Sequence, residues 1–209
     1  MAIAQHTRQW VTLLIVGSVV LMDQIIKVCV KMGMCLHESI HVTDWCYILF
    51  TENRGMAFGM ELVAKPVLTV FRIVAVGFLI WYLMRIIRQR YPMGYIVCLS
   101  LILAGAIGNI IDSVLYGEIF TESTQMAPAS LVPIGEGYGT WLHGKVVDMF
   151  YFPIIDTCWP DWLPVWGGQH FVFFSPIFNF ADAAVSCGVI AMILFYGRTL
   201  NNSLQKKQA

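Results

Sequence analysis

Apolar residues fall along this chain in four long blocks, roughly Trp10–Val30, Pro66–Met84, Met93–Leu115 and Ile177–Tyr196. A helix rises about 1.5 Å per residue and needs about 20 apolar residues to cross a hydrocarbon layer of ~30 Å. The blocks therefore predict four transmembrane helices. The first reads as a permanent span rather than a cleaved leader: it is long, lacks an A-x-A site before a polar region, and carries Asp23 and Lys27.

Between the blocks lie one short connection and two long loops, about 31–65 and 116–176. In the first loop, Trp45-Cys-Tyr-Ile-Leu-Phe-Thr51 is rich in β-branched and aromatic residues and predicts a strand. It leads into Asn53-Arg-Gly-Met-Ala-Phe-Gly59, where Gly55 and Gly59 permit a tight turn or a close backbone approach. In the second loop, residues 117–145 are rich in Gly, Ser, Thr and Pro and read as a poorly structured insertion. Trp159, Trp162 and Trp166, spaced by Pro160 and Pro164, predict a segment lying at the membrane surface.

Composition agrees. Of 209 residues, 58% are hydrophobic and 12% charged, and the mean hydropathy is +0.69. A soluble domain carries roughly 25% charged residues, so an ordinary soluble domain, a coiled coil and a disordered tail are excluded. Thirteen basic residues balance thirteen acidic ones, leaving no basic field for nucleic acid. The fold class is a mainly α membrane protein: four transmembrane helices, a small β-containing element, and surface loops on the outer side. Residues 1–209 read as a single integral membrane domain.

Charge placement sets an orientation. Arg8 precedes the first span, Arg85, Arg88 and Arg90 lie between spans two and three, and Arg198, Lys206 and Lys207 follow span four. Lys and Arg concentrate in cytoplasmic segments, so both termini are expected in the cytoplasm and the long loops outside. In that orientation Asp23, Asp112 and Asp182 fall within about 5–10 Å of the outer ends of spans one, three and four, by the helical rise. Arg72 falls at a similar depth on span two, and Asp148 precedes span four. A carboxylate inside a bilayer costs at least ~2.5–3.5 kcal/mol on insertion scales and marks function or a specific partner. Asp23 and Lys27 stand i,i+4 with the acid first, an order that suits an ion pair. One Lys and one Arg cannot balance four close carboxylates, so two carboxyls sharing a proton are expected. An aspartic hydrolase uses that arrangement: one ionised Asp activates water and the other donates to the carbonyl. Asn109-Ile-Ile-Asp112 and Asn179-Phe-Ala-Asp182 repeat an N-x-x-D pattern, whose amide shares a helix face with the carboxyl and can hold it in orientation.

These residues resemble the lipoprotein signal peptidase (signal peptidase II) family. The likeness runs in order through Asp23-Gln-Ile-Ile-Lys27, Asn53-Arg-Gly-Met-Ala-Phe-Gly59, Gly108-Asn-Ile-Ile-Asp112, Val146-Val-Asp148 and Phe178-Asn-Phe-Ala-Asp182. The resemblance implies an intramembrane aspartic endopeptidase of the bacterial inner membrane. Its substrate would be a prolipoprotein already carrying diacylglycerol, cleaved before the lipidated Cys. It implies Asp148 and Asp182 as the catalytic pair. It also implies Asp23, Lys27, Asn53, Gly55, Asn109, Asp112 and Asn179 as supporting or substrate-binding residues, no metal or other cofactor, and inhibition by the cyclic lipopeptide globomycin. Depth alone ranks Asp112 level with Asp182, so the choice of Asp148 rests on the resemblance. The chain is taken as a monomer in contact with membrane lipid. Two departures stand out. Ser113 occupies the position after Asp112 where the family has a basic residue, leaving Arg72 or Arg54 as candidate partners of Asp112. The insertion 117–145 lengthens the loop before Val146-Val-Asp148.

Rival readings remain at this stage. His37-Glu-Ser-Ile-His41 is a literal H-E-x-x-H, which serves zinc proteolysis when a helix puts both His on one face. A small transporter or channel also carries intramembrane Asp and Arg, though no internal repeat is present, and a scaffold subunit could use polar groups only to hold helices together. Cys29, Cys98 and Cys187 lie in or near spans. Cys35, Cys46 and Cys158 fall on the outer side, where one disulfide, nearest in sequence Cys35–Cys46, is an option.

Overall fold

The computed structural model describes residues 2–53 and 64–205. The four apolar blocks form helices α1 (Ala2–Gly33), α2 (Ala64–Arg88), α3 (Met93–Ile119) and α4 (Phe180–Gln205), all long and apolar enough to cross a membrane. Each runs beyond its apolar block, because the helical ladder continues into the polar ends. The exception is the start of span four. Ile177 and Phe178 were expected inside it, but they form a short strand, and the helix begins only at Phe180. Asn179 causes the change: its side-chain oxygen accepts from the Asp182 backbone N–H at 2.9 Å and caps the helix.

Among the described residues the loops form six strands: β1 (Ser39–Thr43), β2 (Cys46–Asn53), β3 (Val146–Tyr151), β4 (Ile155–Cys158), β5 (His170–Phe173) and β6 (Ile177–Phe178). Four of them form an antiparallel sheet in the order β1-β2-β3-β6. Phe50, Val147 and Met149 of this sheet pack against Val30 of α1, Met34 just past its end and Tyr116 of α3. The sheet thus sits at the ends of α1 and α3 where those helices finish and where α2 and α4 begin. A second apolar core at the opposite end joins Leu83, Ile86 and Ile87 of α2 to Tyr95, Ile96 and Leu99 of α3.

Pairing of β2 with β3 is interrupted. Ile48 lies opposite Phe150 and Thr51 opposite Asp148, so two residues of β2 face the single Met149. This bulge brings Thr51 level with Asp148. Side chains alternate along a strand, so Thr51, Asn53, Val146 and Asp148 share one face, while Glu52, Val147 and Lys145 share the other.

The insertion is not poorly structured. Residues 117–145 hold little regular structure, yet their backbone is tied down throughout. Thr121 N–H donates to Ser130 O at 2.9 Å, Tyr138 N–H to Phe120 O at 2.9 Å, and Ala129 N–H to Lys31 O at 3.1 Å. Phe120 and Ala129 are buried in the sheet-side core. Glycine and proline here permit tight turns that backbone hydrogen bonds then fix; composition alone does not distinguish that from disorder.

The Trp-rich segment forms the tip of the β4–β5 hairpin. One face carries Ile155 opposite Phe173 and Thr157 opposite Phe171, with Trp159 packed 4.8 Å from Phe171. The other carries Asp156 and His170, paired at 2.6 Å. Trp162, Val165 and Trp166 are exposed at the tip.

Candidate active site

Three helices, α1, α3 and α4, and two strands deliver their polar side chains to one network. It starts from Lys27, fully buried on α1. Its ammonium meets Asp23 at 3.0 Å, Asp112 at 2.7 Å and the Asn109 side-chain oxygen at 2.8 Å. An ammonium has three N–H donors, and each has a partner. Lys27, not Arg72, is therefore the charge partner of Asp112, and Arg54 lies outside the described residues. Ser113 turns away and donates to the Asn109 backbone oxygen at 2.9 Å.

Asp23 has a second task. Its Oδ1 accepts from the backbone N–H of Ala181 at 2.9 Å, satisfying a donor in the first turn of α4 that has no partner within the helix. Close packing makes this reach possible. A Cβ at Gly108 on α3 would stand 2.6 Å from Asp23 Oδ2 and 3.1 Å from the Ala181 Cβ, so no larger residue fits there without displacing the pair.

From Asn109 the network passes to the second N-x-x-D. Asn109 donates to Asp182 Oδ1 at 2.7 Å. Asn179 donates to Asn109 at 3.1 Å and to Asp148 Oδ1 at 2.6 Å. The Asn179 N–H donates to Asp182 Oδ2 at 3.3 Å while its side chain caps the Asp182 N–H. The exchange is a capping box. It places Asp182 at the mouth of α4, half-buried, and holds Asp148 through the same asparagine. Asn53, on the Asp148 face of the sheet, bonds the Asp148 side chain as well.

Asp148 is almost fully buried. Burial pushes its carboxyl up, the nearby Asp182 carboxyl adds to that, and hydrogen bonds from Asn179 and Asn53 and the charge of Lys27 only partly offset it. The result is a value of about 7. A carboxyl in that state carries a proton for much of the time at neutral pH and can donate it. Two carboxyls bridged by one asparagine, one of them protonated near neutrality, can act together as acid and base.

The network thus gathers Asp23, Lys27, Asn53, Asn109, Asp112, Asp148, Asn179 and Asp182. Gly55 lies outside the described residues. Two members were missed. Gln24 donates to Asp112 at 2.9 Å and to the Gly108 backbone oxygen at 3.2 Å, and it accepts from the Tyr116 hydroxyl at 3.1 Å. The signal for Gln24 was present, since it stands inside Asp23-Gln-Ile-Ile-Lys27. Tyr116 offered none beyond its place one turn past Asp112.

The H-E-x-x-H decoy fails on geometry. His37 has a positive φ of 67° in a turn, and His41 lies on β1, so the two do not share a helix face. All six cysteines are free, including Cys35 and Cys46.

Residues 15–197 match the family model for signal peptidase (SPase) II. The chain belongs to that family. A lipoprotein signal peptidase of Porphyromonas gingivalis is 52% identical over 187 residues, covering 89% of this chain and 82% of the relative. One from Amoebophilus asiaticus is 32% identical over 197 residues, covering 91% and 79%. A solved bacterial membrane enzyme, determined by the in meso method at 1.9 Å resolution, superposes with a TM-score of 0.59 at 25% identity, covering 88% of this chain and 90% of its own. Membership in the signal peptidase II family makes the chain a protease with a membrane-spanning helical body. A transporter, a channel or a zinc protease is not favoured.

Proposed function

We propose that this chain is an intramembrane aspartic endopeptidase that removes the signal peptide from diacylglyceryl prolipoproteins, cutting before the lipidated Cys. The observation that carries the reading is Asn179, which ties Asp148 to Asp182, with burial pushing the Asp148 carboxyl up to about 7. The substrate class is that of the lipoprotein signal peptidases to which the chain is similar.

The roles follow from the hydrogen bonds. Asp182 accepts from Asn109 and from the Asn179 N–H, an arrangement suited to an ionised, acceptor-only carboxylate. It takes a proton from a water molecule, whose oxygen attacks the scissile carbonyl carbon. Asp148 gives its proton to the carbonyl oxygen, and a tetrahedral diol forms. Asp182 then returns the proton to the amide nitrogen, the C–N bond breaks, and Asp148 recovers its proton from the diol as the carboxylic acid product forms. Lys27, Asp23, Asp112 and Gln24 keep α1, α3 and α4 in register around the pair. Asn53 aligns Asp148, and a glycine at position 55, two residues further along the chain, would allow close approach of the substrate backbone.

The membrane is the bacterial cytoplasmic membrane, with both termini in the cytoplasm and the sheet outside, as the Lys and Arg distribution supports. Globomycin is expected to compete with substrate. The deciding experiment incubates the purified protein with a diacylglyceryl prolipoprotein and looks for the shortened product. Asp148→Asn and Asp182→Asn should each reduce turnover at least ~100-fold, the usual worth of a general acid or base, in protein that still folds. EDTA should change nothing. Near-normal turnover in either variant would refute the assignment.

A further inference from the structure

A second buried ionic cluster lies on the reverse face of the catalytic strands. Lys31, one turn beyond Lys27, is fully buried and pairs with Glu52, whose side chain is also buried. Ser123 accepts from Lys31 at 2.9 Å and donates to the same Glu52 oxygen at 2.7 Å. Lys145 meets the other Glu52 oxygen at 3.1 Å and Glu122 at 2.9 Å. The rings of Phe120 and Tyr138 cover Lys31 at 5.3 and 5.1 Å, and Tyr138 lies 5.0 Å from Lys145. The Tyr138 hydroxyl accepts from the Lys145 N–H at 2.6 Å. Ser123, Glu122, Phe120 and Tyr138 all belong to the insertion 117–145.

The position of Glu52 gives this cluster a role. It is the first residue past Thr51, where pairing resumes after the bulge, and it faces Val147, next to Asp148. A slip of one residue in β2 would exchange the faces, turning Glu52 toward the Asp148 side and Thr51 and Asn53 away from it. A bulge makes such a slip accessible because it already displaces one strand by a residue. Buried charge pairs are a poor source of stability compared with apolar packing, and specifying register is their best-attested use. We propose that Glu52 is a positioning residue that locks the β2–β3 register, and that the insertion exists in this chain to hold it.

Glu52 therefore acts through Asn53 and Thr51, which stand on the Asp148 side. Among the described residues, the charged groups around Asp148 are Asp182 of α4 and Lys27 of α1 with its partners Asp23 and Asp112. Lys31, Lys145 and Glu122 stand with Glu52 behind the sheet.

The inference rests on the proposed peptidase reading, and one experiment separates the two. Cleavage of a diacylglyceryl prolipoprotein is followed across pH for the unaltered protein, Glu52→Gln, Ser123→Ala and Ser123→Thr, with folded fraction measured in parallel. An unaltered protein that fails to cleave refutes the peptidase reading and leaves nothing for Glu52 to position. With that protein active, Glu52→Gln should lower kcat at least tenfold with KM within twofold. The alkaline limb should move to higher pH as the Asn53 bond to Asp148 is lost. Ser123→Ala should lower kcat about threefold and Ser123→Thr should restore it. If Glu52→Gln does not fold, the Ser123 pair carries the test. Unchanged kcat and pH profile overturns the proposal, as does activity that falls only in proportion to the folded fraction.

Discussion

Replacing Asn179 with Ala removes a bond to Asn109 and two contributions of different kinds at the carboxyl pair. The side chain caps α4 through the Asp182 N–H and donates to the Asp148 carboxyl at 2.6 Å. Losing an N-cap costs about 1 kcal/mol of stability. Losing a hydrogen bond to a charged group costs about 1.5–3 kcal/mol, and it falls on the ionised form of Asp148. At 1.36 kcal/mol per pKa unit, that raises the Asp148 value from about 7 by about 1 to 2 units. Activity on the alkaline side is lost when the Asp148 proton leaves, so that limb should move to higher pH by the same amount. Asn179→Ser separates the two contributions. A serine still caps a helix well but is too short to hold Asp148 as well. It should keep most of the thermal stability and show the same alkaline displacement. The assay is prolipoprotein cleavage from pH 5 to 10, at saturating and at low substrate, with thermal unfolding of each variant. A limb that stays in place in both variants, or moves toward acid, refutes the chain of reasoning from the hydrogen bond to the proton.

Three further outcomes are expected. Lys27→Met leaves Asp23 and Asp112 buried without their cation, which should destabilise the protein by about 3–5 kcal/mol; a thermal scan matching the unaltered protein would contradict the central place of Lys27. In a cysteine-free background, a Cys at Thr124 should react with an impermeant thiol reagent in intact cells and a Cys at Gln89 should not, and the reverse pattern would overturn the orientation. Trp162, at the tip of a hairpin with one apolar face, should be quenched by lipids brominated near the headgroup when it is the sole tryptophan. Quenching by aqueous acrylamide alone would remove the hairpin from the membrane surface.

The spans were legible because hydropathy is a property of consecutive residues, and the polar layer near their outer ends because a charge in an apolar run has no local reason to be there. Asp23, Asp112 and Asp182 announced themselves in this way. Asp148 did not: it sits in a loop by hydropathy and reaches the network only through strand pairing with β2. Lys31 was hidden at the end of an apolar block, where a cation reads as a helix terminus. Its partners come from Glu52, Ser123 and the rings of Phe120 and Tyr138, all distant in sequence. The order in 117–145 was illegible for the same reason, since backbone hydrogen bonds leave no mark in composition. The false end of span four had a local sign, Asn179, but an Asn inside an N-x-x-D reads equally as a mid-helix residue.

The bond from the Ala181 N–H to Asp23 joins the last span to the first. During synthesis α1 emerges well before α4. Until α4 arrives, one oxygen of Asp23 lacks the donor it has in the finished protein. Until α1 is in place, the first turn of α4 has an unsatisfied N–H at the edge of hydrocarbon, where no irregular backbone is tolerated without a partner. Each helix thus supplies what the other lacks, and Asp182 acquires its surroundings only at that meeting. A truncated or stalled chain holds no finished centre. The network around Asp182 is therefore assembled only once α4 has met α1.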